Sequence, residues 1–289
     1  MSEFEVPHLD RLAVRWTIGD ARDRGFELLR LSITCAFRLF GPAAKYSVCV
    51  NSLSSKEARK RTGFVPATVE WREVTRDDLP RVLKQCFDDT LIEGMGWKLV
   101  PLRTHPDLYE LALDNDCILW AIPAGMRRWL ASENACLFAE DVDRCLGSFD
   151  ALCPPGNFNA GIRGLAPGVD LVPALASVLE DARVHLGAPL TVRAEIEEQG
   201  LQAAAICRAG PLHLVRTDEV TLCSPFWPRS REFGTCGAHF VGMNARHIRW
   251  DYYDRPADVW LDEFWMEKRP LLYNKARLDP NGASRNGHR

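Results

Sequence analysis

Between Leu12 and Phe87 extended and helical patterns take turns, and this alternation narrows the possible folds more than any other feature of the chain. Leu12 to Ile18 alternates and stops at Gly19-Asp20, which predicts a strand and a turn. Phe26, Leu29, Ile33, Phe37 and Phe40 recur at helical spacing across residues 22 to 40, and Gly41-Pro42 ends the pattern. Tyr46 to Val50 predicts a second strand, Lys56 to Arg61 a basic helical stretch, Thr68 to Val74 a third strand and Asp77 to Phe87 a further helix. Strands joined through helices pair in parallel, because each crossover helix carries the chain back to the end of the sheet where the previous strand began. The expected fold class is therefore α/β: a single doubly wound, mainly parallel mixed sheet flanked by helices. Ligands of such sheets gather at the carboxyl ends of the strands, where Thr17, Asp20, Asn51 and Asp114 fall. The run Thr17-Ile18-Gly19-Asp20 is either a nucleotide contact loop or a plain strand-to-helix turn.

Leu111-Ala112-Leu113-Asp114-Asn115-Asp116-Cys117-Ile118-Leu119-Trp120 is an apolar run broken in its middle by two carboxylates. Its length and composition predict a buried strand, and two buried Asp residues cost several kcal/mol unless something pairs them. The strand's end is their expected place. In extended chain residues i and i+2 face the same way, so Asp114 and Asp116 converge on one hard cation while Asn115 turns aside. Mg²⁺ or Mn²⁺ carrying phosphates suits that geometry. A bare Asp-x-Asp also arises as a helix cap beside an Asx turn, and by itself it does not separate the two.

A net charge of -3 leaves no basic excess to neutralise a phosphate backbone, which argues against nucleic acid as the main partner. No run is long and apolar enough to span a bilayer, and Met1 to Pro7 has neither a basic n-region nor an apolar h-region. A cytoplasmic location is expected, with the oligomeric state open. The ten cysteines contain no Cys-x-x-Cys pair and several lie in apolar runs, which predicts reduced core residues rather than zinc ligands or disulfides.

Lys98 and Arg103 either neutralise a diphosphate or lie in solvent, as surface cations commonly do. Met126 to Leu130 is amphipathic, Ala135 to Ala139 reads as a short strand and Asp141 to Leu146 as a helix. In Gly156 to Gly164, small residues around Asn159 in an expected strand predict close approach of a ligand or another strand. Residues 170 to 186 form an amphipathic helix, with Leu171, Leu175, Val178 and Leu179 inward. Glu197 to Ala204 begins another helix, and Thr217 to Cys223 a further strand. The loop from Ser224 to Gly237, with Phe226, Trp227, Arg229 and Arg231, is either a functional loop closing over a ligand or a packed surface loop. His239, set among apolar residues, would on that ground alone be a hydrogen-bonded core group. Trp260 and Trp265 are expected to pack a last helix onto the body, and residues 278 to 289 to form a disordered tail.

Three stretches in fixed order carry a resemblance. Leu111 to Asp116, then Phe158-Asn159-Ala160-Gly161-Ile162, then Gly237-Ala238-His239-Phe240-Val241-Gly242 resemble the skeleton of nucleotide-sugar glycosyltransferases of the glycosyltransferase-A fold, in particular the glycogenin-like and galactosyltransferase-like retaining enzymes. The resemblance implies Asp114, Asp116 and His239 as ligands of Mn²⁺ or Mg²⁺, with Asp114 sharing the metal or reaching the ribose. It implies Asn159 and Gly161 near the donor sugar. Glu198-Gln199 resembles the family's Asp-Gln pair near the reacting carbon, which makes Asn159, Glu198 and Gln199 the expected catalytic set. Thr17, Ile18, Asp20, Asn51, Lys98, Asp114, Asn115 and Gly161 are the expected contacts to a nucleoside diphosphate sugar. The family's Lys-Pro-Trp after the late His is missing: Asn244-Ala245-Arg246 stands there, with Arg246 or His247 as a replacement for the lysine. One domain is expected over residues 1 to 277, its nucleotide-binding half at 12 to 120 and its sugar and acceptor half at 121 to 250.

The implied activity is metal-dependent hexosyl transfer from a nucleoside diphosphate sugar to an acceptor, with retention. A haloacid-type phosphatase also uses Asp-x-Asp, but at its first strand. A sugar nucleotidyltransferase opens on a Gly-rich basic loop, which Thr17 to Arg24 does not match. A non-catalytic nucleotide-sugar-binding or interaction domain on the same scaffold stays open because the late lysine is absent.

Overall fold

The computed structural model describes residues 8–87, 97–187, 192, 195–226, 232–243 and 251–278. Its elements in order are β1 (Leu12–Ile18), α1 (Asp23–Phe40), β2 (Lys45–Val50), α2 (Ser55–Thr62), β3 (Val69–Glu73), β4 (Tyr109–Asp114), β5 (Cys117–Leu119), α3 (Ala124–Leu130), β6 (Cys136–Glu140), β7 (Phe158–Leu165), α4 (Val172–Leu186), α5 (Glu195–Ala209), β8 (Leu212–Val215), β9 (Val220–Cys223), β10 (Gly237–Phe240), β11 (Asp251–Tyr252), β12 (Arg255–Pro256) and α6 (Ala257–Lys275). The central sheet has the order β3-β2-β1-β4-β7-β6-β8, and β7 alone runs against its neighbours. From β1 the chain winds outward through β2 and β3, then returns to place β4 on the other side of β1. The crevice at their carboxyl ends is a topological switch point, where ligands of open α/β sheets bind.

Successive residues of β1 and β4 face opposite sides of the sheet, and both sides are largely buried. Leu12, Val14, Trp16 and Ile18 of β1, with Leu111 and Leu113 of β4, enter the apolar core. On the opposite face of β1 and β4 stand Arg15 and Thr17, and Glu110, Ala112 and Asp114, with Arg15 opposite Ala112 and Thr17 opposite Asp114. Arg15 and Glu110 are both buried, and Arg15 Nε donates to Glu110 Oε1 at 3.2 Å. The other carboxylate oxygen accepts from the backbone N–H groups of Thr104 and His105, at 2.6 and 2.7 Å. Burial alone would raise the Glu110 pKa, but Arg15 and these donors outweigh it and hold the value below that of a free glutamate. Glu110→Ala is expected to cost about 3–5 kcal/mol of unfolding free energy, because it strands a buried guanidinium. Since the folded pKa is depressed, the carboxylate's contribution is present above its unfolded pKa and is lost as pH falls through the folded one. Urea unfolding of wild type and variant across acid pH measures both effects.

The expected single strand over Leu111–Trp120 is split. β4 ends at Asp114, Asn115 and Asp116 form a turn, and β5 enters a second sheet of order β5-β10-β9. The turn has a physical cause: a continuous strand would carry both carboxylates into the apolar core, whereas the turn sets them at the carboxyl end of β4, where they line a cleft. Asp77–Phe87 is not a helix, because only Arg76–Asp78 makes a short 3-10 turn before Pro80, which has no N–H to continue it. Asp141–Leu146 is also irregular. There the Arg144 guanidinium donates to the carbonyls of Pro154, Gly156, Asp150 and Cys153, and so organises a loop instead. β8, a half-buried strand pairing with β6, had no clear signal in the sequence.

A second apolar cluster joins α1 to the small sheet and to α6, through Leu28, Leu31, Cys35, Ile118, Phe240, Leu261 and Trp265. Trp265 packs there as expected. Trp260 instead donates to the Tyr252 carbonyl at 2.8 Å and lies under the Arg255 guanidinium. The ten cysteines are free, and six of them are buried. No helix among the described residues is long and apolar enough to cross a membrane. The expected tail lies outside the described residues beyond Leu278, whose N–H still bonds the Tyr273 carbonyl.

Candidate active site

Pairing of two short strands assembles the site's most distant members. In the small sheet His239 of β10 lies opposite Cys117 of β5, and the Phe240 N–H donates to the Asp116 carbonyl at 2.9 Å. That register sets the His239 ring against the carboxylates flanking the β4–β5 turn. His239 Nε2 lies 3.4 Å from Asp114 Oδ2 and 3.3 Å from Asp116 Oδ1. One ligand atom from each of the three residues fits within 4.8 Å of the others.

Room for the ring comes from Gly161. A Cβ on Gly161 would stand 2.2 Å from His239 Cε1. The pairing of β6 with β7 slips between Phe138 and Ala139, so residues 160 to 162 bulge out of that ladder beside the ring. The close approach expected in this stretch is thus made by a histidine side chain.

The electrostatics follow from burial and crowding. Asp116 is buried and its pKa is raised by burial, with neighbouring Asp114 adding to the rise. Its Oδ1 has no hydrogen-bond partner, the His239 contact at 3.3 Å notwithstanding. Asp114 is also desolvated, yet Lys98 and His239 outweigh that and depress its pKa. Lys98 Nζ donates to Asp114 Oδ2 at 2.7 Å. Burial pulls the Lys98 pKa down, but Asp114 and Glu198 offset it and leave the value above that of an ordinary lysine. For His239 burial favours the neutral ring, while the two carboxylates hold the proton on it up to about 9. Two carboxylates and an imidazole, one buried oxygen still lacking a donor, form a donor set that fits a divalent cation.

Two adjoining clefts open here and share Lys98, Asp114, Ala160 and Glu195. The first is lined on one side by Thr17, Ile18, Asn51 and Asn115. Asn115 Nδ2 also donates to the Gly25 carbonyl at 3.3 Å, which ties the turn to α1. The second cleft holds Asp116, His239, Asn159, Glu198 and Gln199. Asn159 Oδ1 accepts from the Gly161 N–H at 2.8 Å and its Nδ2 donates to Asp141 at 3.0 Å. Gln199 accepts from the Ala160 N–H at 3.2 Å and donates to the same Asp141 at 3.3 Å. Burial raises the Glu198 pKa to about 7, Lys98 opposing part of the rise.

Two expected contacts fall elsewhere. Asp20 turns into a neighbouring groove, where Arg61 Nη1 lies 2.9 Å from its carboxylate. Gly161 lines neither cleft and acts by admitting the His239 ring. Arg103, a candidate for diphosphate or solvent, instead donates to backbone carbonyls, among them Val169 at 2.8 Å and Leu108 at 2.6 Å. In the loop from Ser224 to Gly237, Phe226 packs on Tyr252 and Phe233 on Trp120. Trp227, Arg229 and Arg231 lie outside the described residues, as do Asn244 to His247.

Four side chains escaped sequence reasoning: Asp141, Arg15, Arg163 and Gln202. Each arginine is a charged residue in an otherwise apolar or small-residue strand, and that was the available signal.

A scan against protein-family models and a search of curated proteins found no match. Among solved structures the chain is similar to a galactosyltransferase, LgtC, in complex with donor and acceptor sugar analogues. The identity there is 14%, with a TM-score of 0.52 over 89% of this chain and 99% of that one. It is also similar to mouse xyloside xylosyltransferase 1 in its apo form, at 12% identity and a TM-score of 0.50 over 81% of this chain and 99% of that one. The fold is therefore of the glycosyltransferase-A type, with a central, mostly parallel sheet flanked by helices.

Proposed function

We propose that the chain is a glycosyltransferase of the hexosyltransferase type, moving a sugar from a nucleoside diphosphate sugar to an acceptor in a metal-dependent, retaining reaction. The observation that carries this reading is the convergence of Asp114, Asp116 and His239, at the carboxyl end of β4, on the boundary between two adjoining clefts. Both fold neighbours named above are glycosyltransferases, which supports the same class.

Asp114, Asp116 and His239 would hold Mn²⁺ or Mg²⁺, which when bound neutralises charge on the leaving diphosphate. Lys98, kept cationic by Asp114, adds a fixed positive charge at the same place. Thr17, Ile18, Asn51 and Asn115 form the wall for the nucleoside, supplied by the half from 12 to 120. Asn159 and Gln199, both locked by Asp141, orient the sugar in the half from 121 to 250. Glu198, with its pKa near neutrality, can hold or release a proton beside the sugar. The free cysteines suit the reducing cytoplasm.

The test is nucleoside diphosphate release from each common nucleotide sugar, with binding measured by calorimetry, in Mn²⁺ and in chelator. Release and binding are expected with metal and not with chelator. If no nucleotide sugar binds or turns over with metal present, the reading fails and a non-catalytic interaction domain takes its place.

A further inference from the structure

Beneath the row formed by Thr17 and Asp114 lies a second row on the same face of the sheet: Arg15, Ala112 and Arg163, paired across β1, β4 and β7. Arg15 is 1% and Arg163 2% exposed, and both line the first cleft. Ala112 between them is small and only half-buried, so the cleft reaches down to the sheet at this point, with Gln202 and Trp97 beside it. The two guanidiniums converge on one atom, the Lys98 carbonyl, each at 3.2 Å.

Their charges are unequally matched. Arg15 has Glu110 as counter-ion. Arg163 donates to Gln202 Oε1 at 2.8 Å and to the carbonyls of Lys98 and Leu102, all of them neutral acceptors. Burial and the neighbouring Arg15 lower its pKa to about 9, which leaves it a cation at neutral pH. Glu110, already paired to Arg15, also acts on it, and the other carboxylate that does, Glu198, is itself raised to about 7 and accepts from Gln202 Nε2. A buried cation without a carboxylate partner is costly, and here it stands at the floor of an open cleft rather than in packed core.

We propose that the pocket between Arg15 and Arg163, floored by Ala112, is a subsite for a carboxylate on the donor's sugar. The donor class is then a nucleoside diphosphate uronate rather than a neutral hexose nucleotide. This rests on the donor reading given above. The pocket's depth assigns the carboxylate to the donor: it lies against the sheet beneath Asp114, whereas an acceptor has to arrive from the open side. Planar guanidinium groups match a carboxylate in two parallel hydrogen bonds, a geometry that a hexose hydroxymethyl cannot reproduce.

The experiment is calorimetry on the full chain with Mn²⁺. UDP, GDP and ADP are titrated first, then the neutral hexose and the uronate nucleotides of whichever base binds. The uronate is expected to bind at least about tenfold tighter than the hexose. In Arg163→Met that preference is expected to vanish while affinity for the bare nucleoside diphosphate persists, and Arg163→Lys is expected to restore part of it. Should Arg163→Met fail to fold, the wild-type comparison still decides. Equal or tighter binding of the hexose nucleotide, with nucleoside diphosphate binding intact, overturns the subsite and leaves the glycosyltransferase reading standing. If no nucleoside diphosphate binds, that reading fails and the subsite fails with it. Loss of hexose and uronate binding alike in Arg163→Met, with no preference in wild type, makes Arg163 a structural support for the Lys98 backbone only and overturns the proposal.

Discussion

Asp116→Asn is expected to abolish turnover while leaving the fold intact or slightly more stable. The residue is 1% exposed, its pKa is raised by burial, and one oxygen has no hydrogen-bond partner. The His239 ring at 3.3 Å offsets only part of that burial, since the pKa stays raised, and the remainder weakens the folded protein unless a second cation meets the carboxylate. Asn keeps the shape and removes the charge, so the part of the burial cost that His239 does not offset disappears together with the metal affinity. Losing an outer partner of a metal ligand already costs roughly 10- to 100-fold in affinity, and loss of a direct ligand is expected to exceed that. Thermal unfolding with and without Mn²⁺ separates the two effects. Wild type is expected to gain stability on adding metal, by mass action, and the variant to gain none. A variant whose melting temperature still rises with Mn²⁺ as in wild type would remove Asp116 from the metal site.

Gly161→Ala is expected to damage the site from behind. The added methyl would lie 2.2 Å from His239 Cε1, 2.6 Å from Nδ1 and 2.9 Å from Asn159 Oδ1. The ring is buried on a strand held on both sides, by β5 and β9, and it has little room to retreat. Overpacking of this kind costs about 1–3 kcal/mol. The larger consequence is functional, because a ring pushed away from Asp114 and Asp116 would not share with them the cation proposed above. The imidazole protons report its position, so proton NMR of the His239 ring in wild type and variant, together with Mn²⁺ titration, is the measurement. An unshifted ring with unchanged metal affinity would show that the bulge absorbs the methyl.

Much of the fold was legible along the chain, because strands and helices that alternate in sequence write their own periods and boundaries into local sequence. Leu12–Ile18 ends as a strand does, and the Phe26 to Phe40 stripe has the period of one helix face turned toward the main core. Asp114 and Asp116 could be singled out because carboxylates inside an apolar run demand compensation, whatever the surrounding structure. Their local geometry could not be read. Extended spacing and a turn both bring residues i and i+2 together, and the cost of burying two charges within one strand favours the turn. His239 was reached only through a resemblance to other proteins, since nothing in Ala238-His239-Phe240 names Cys117 as its partner across the small sheet. Strand pairing between segments remote in sequence depends on which edges the packed core leaves open, and no local period encodes that. The same limit hid the Arg15, Ala112 and Arg163 row. Each arginine was visible as a charge in a strand, but their meeting over one alanine is a property of the register that joins β1, β4 and β7. Local sequence thus determined the elements and the residues whose burial needed an explanation. The tertiary structure alone decided which of them face one another, because that is set by long-range pairing and by the space that a glycine such as Gly161 leaves for a distant ring.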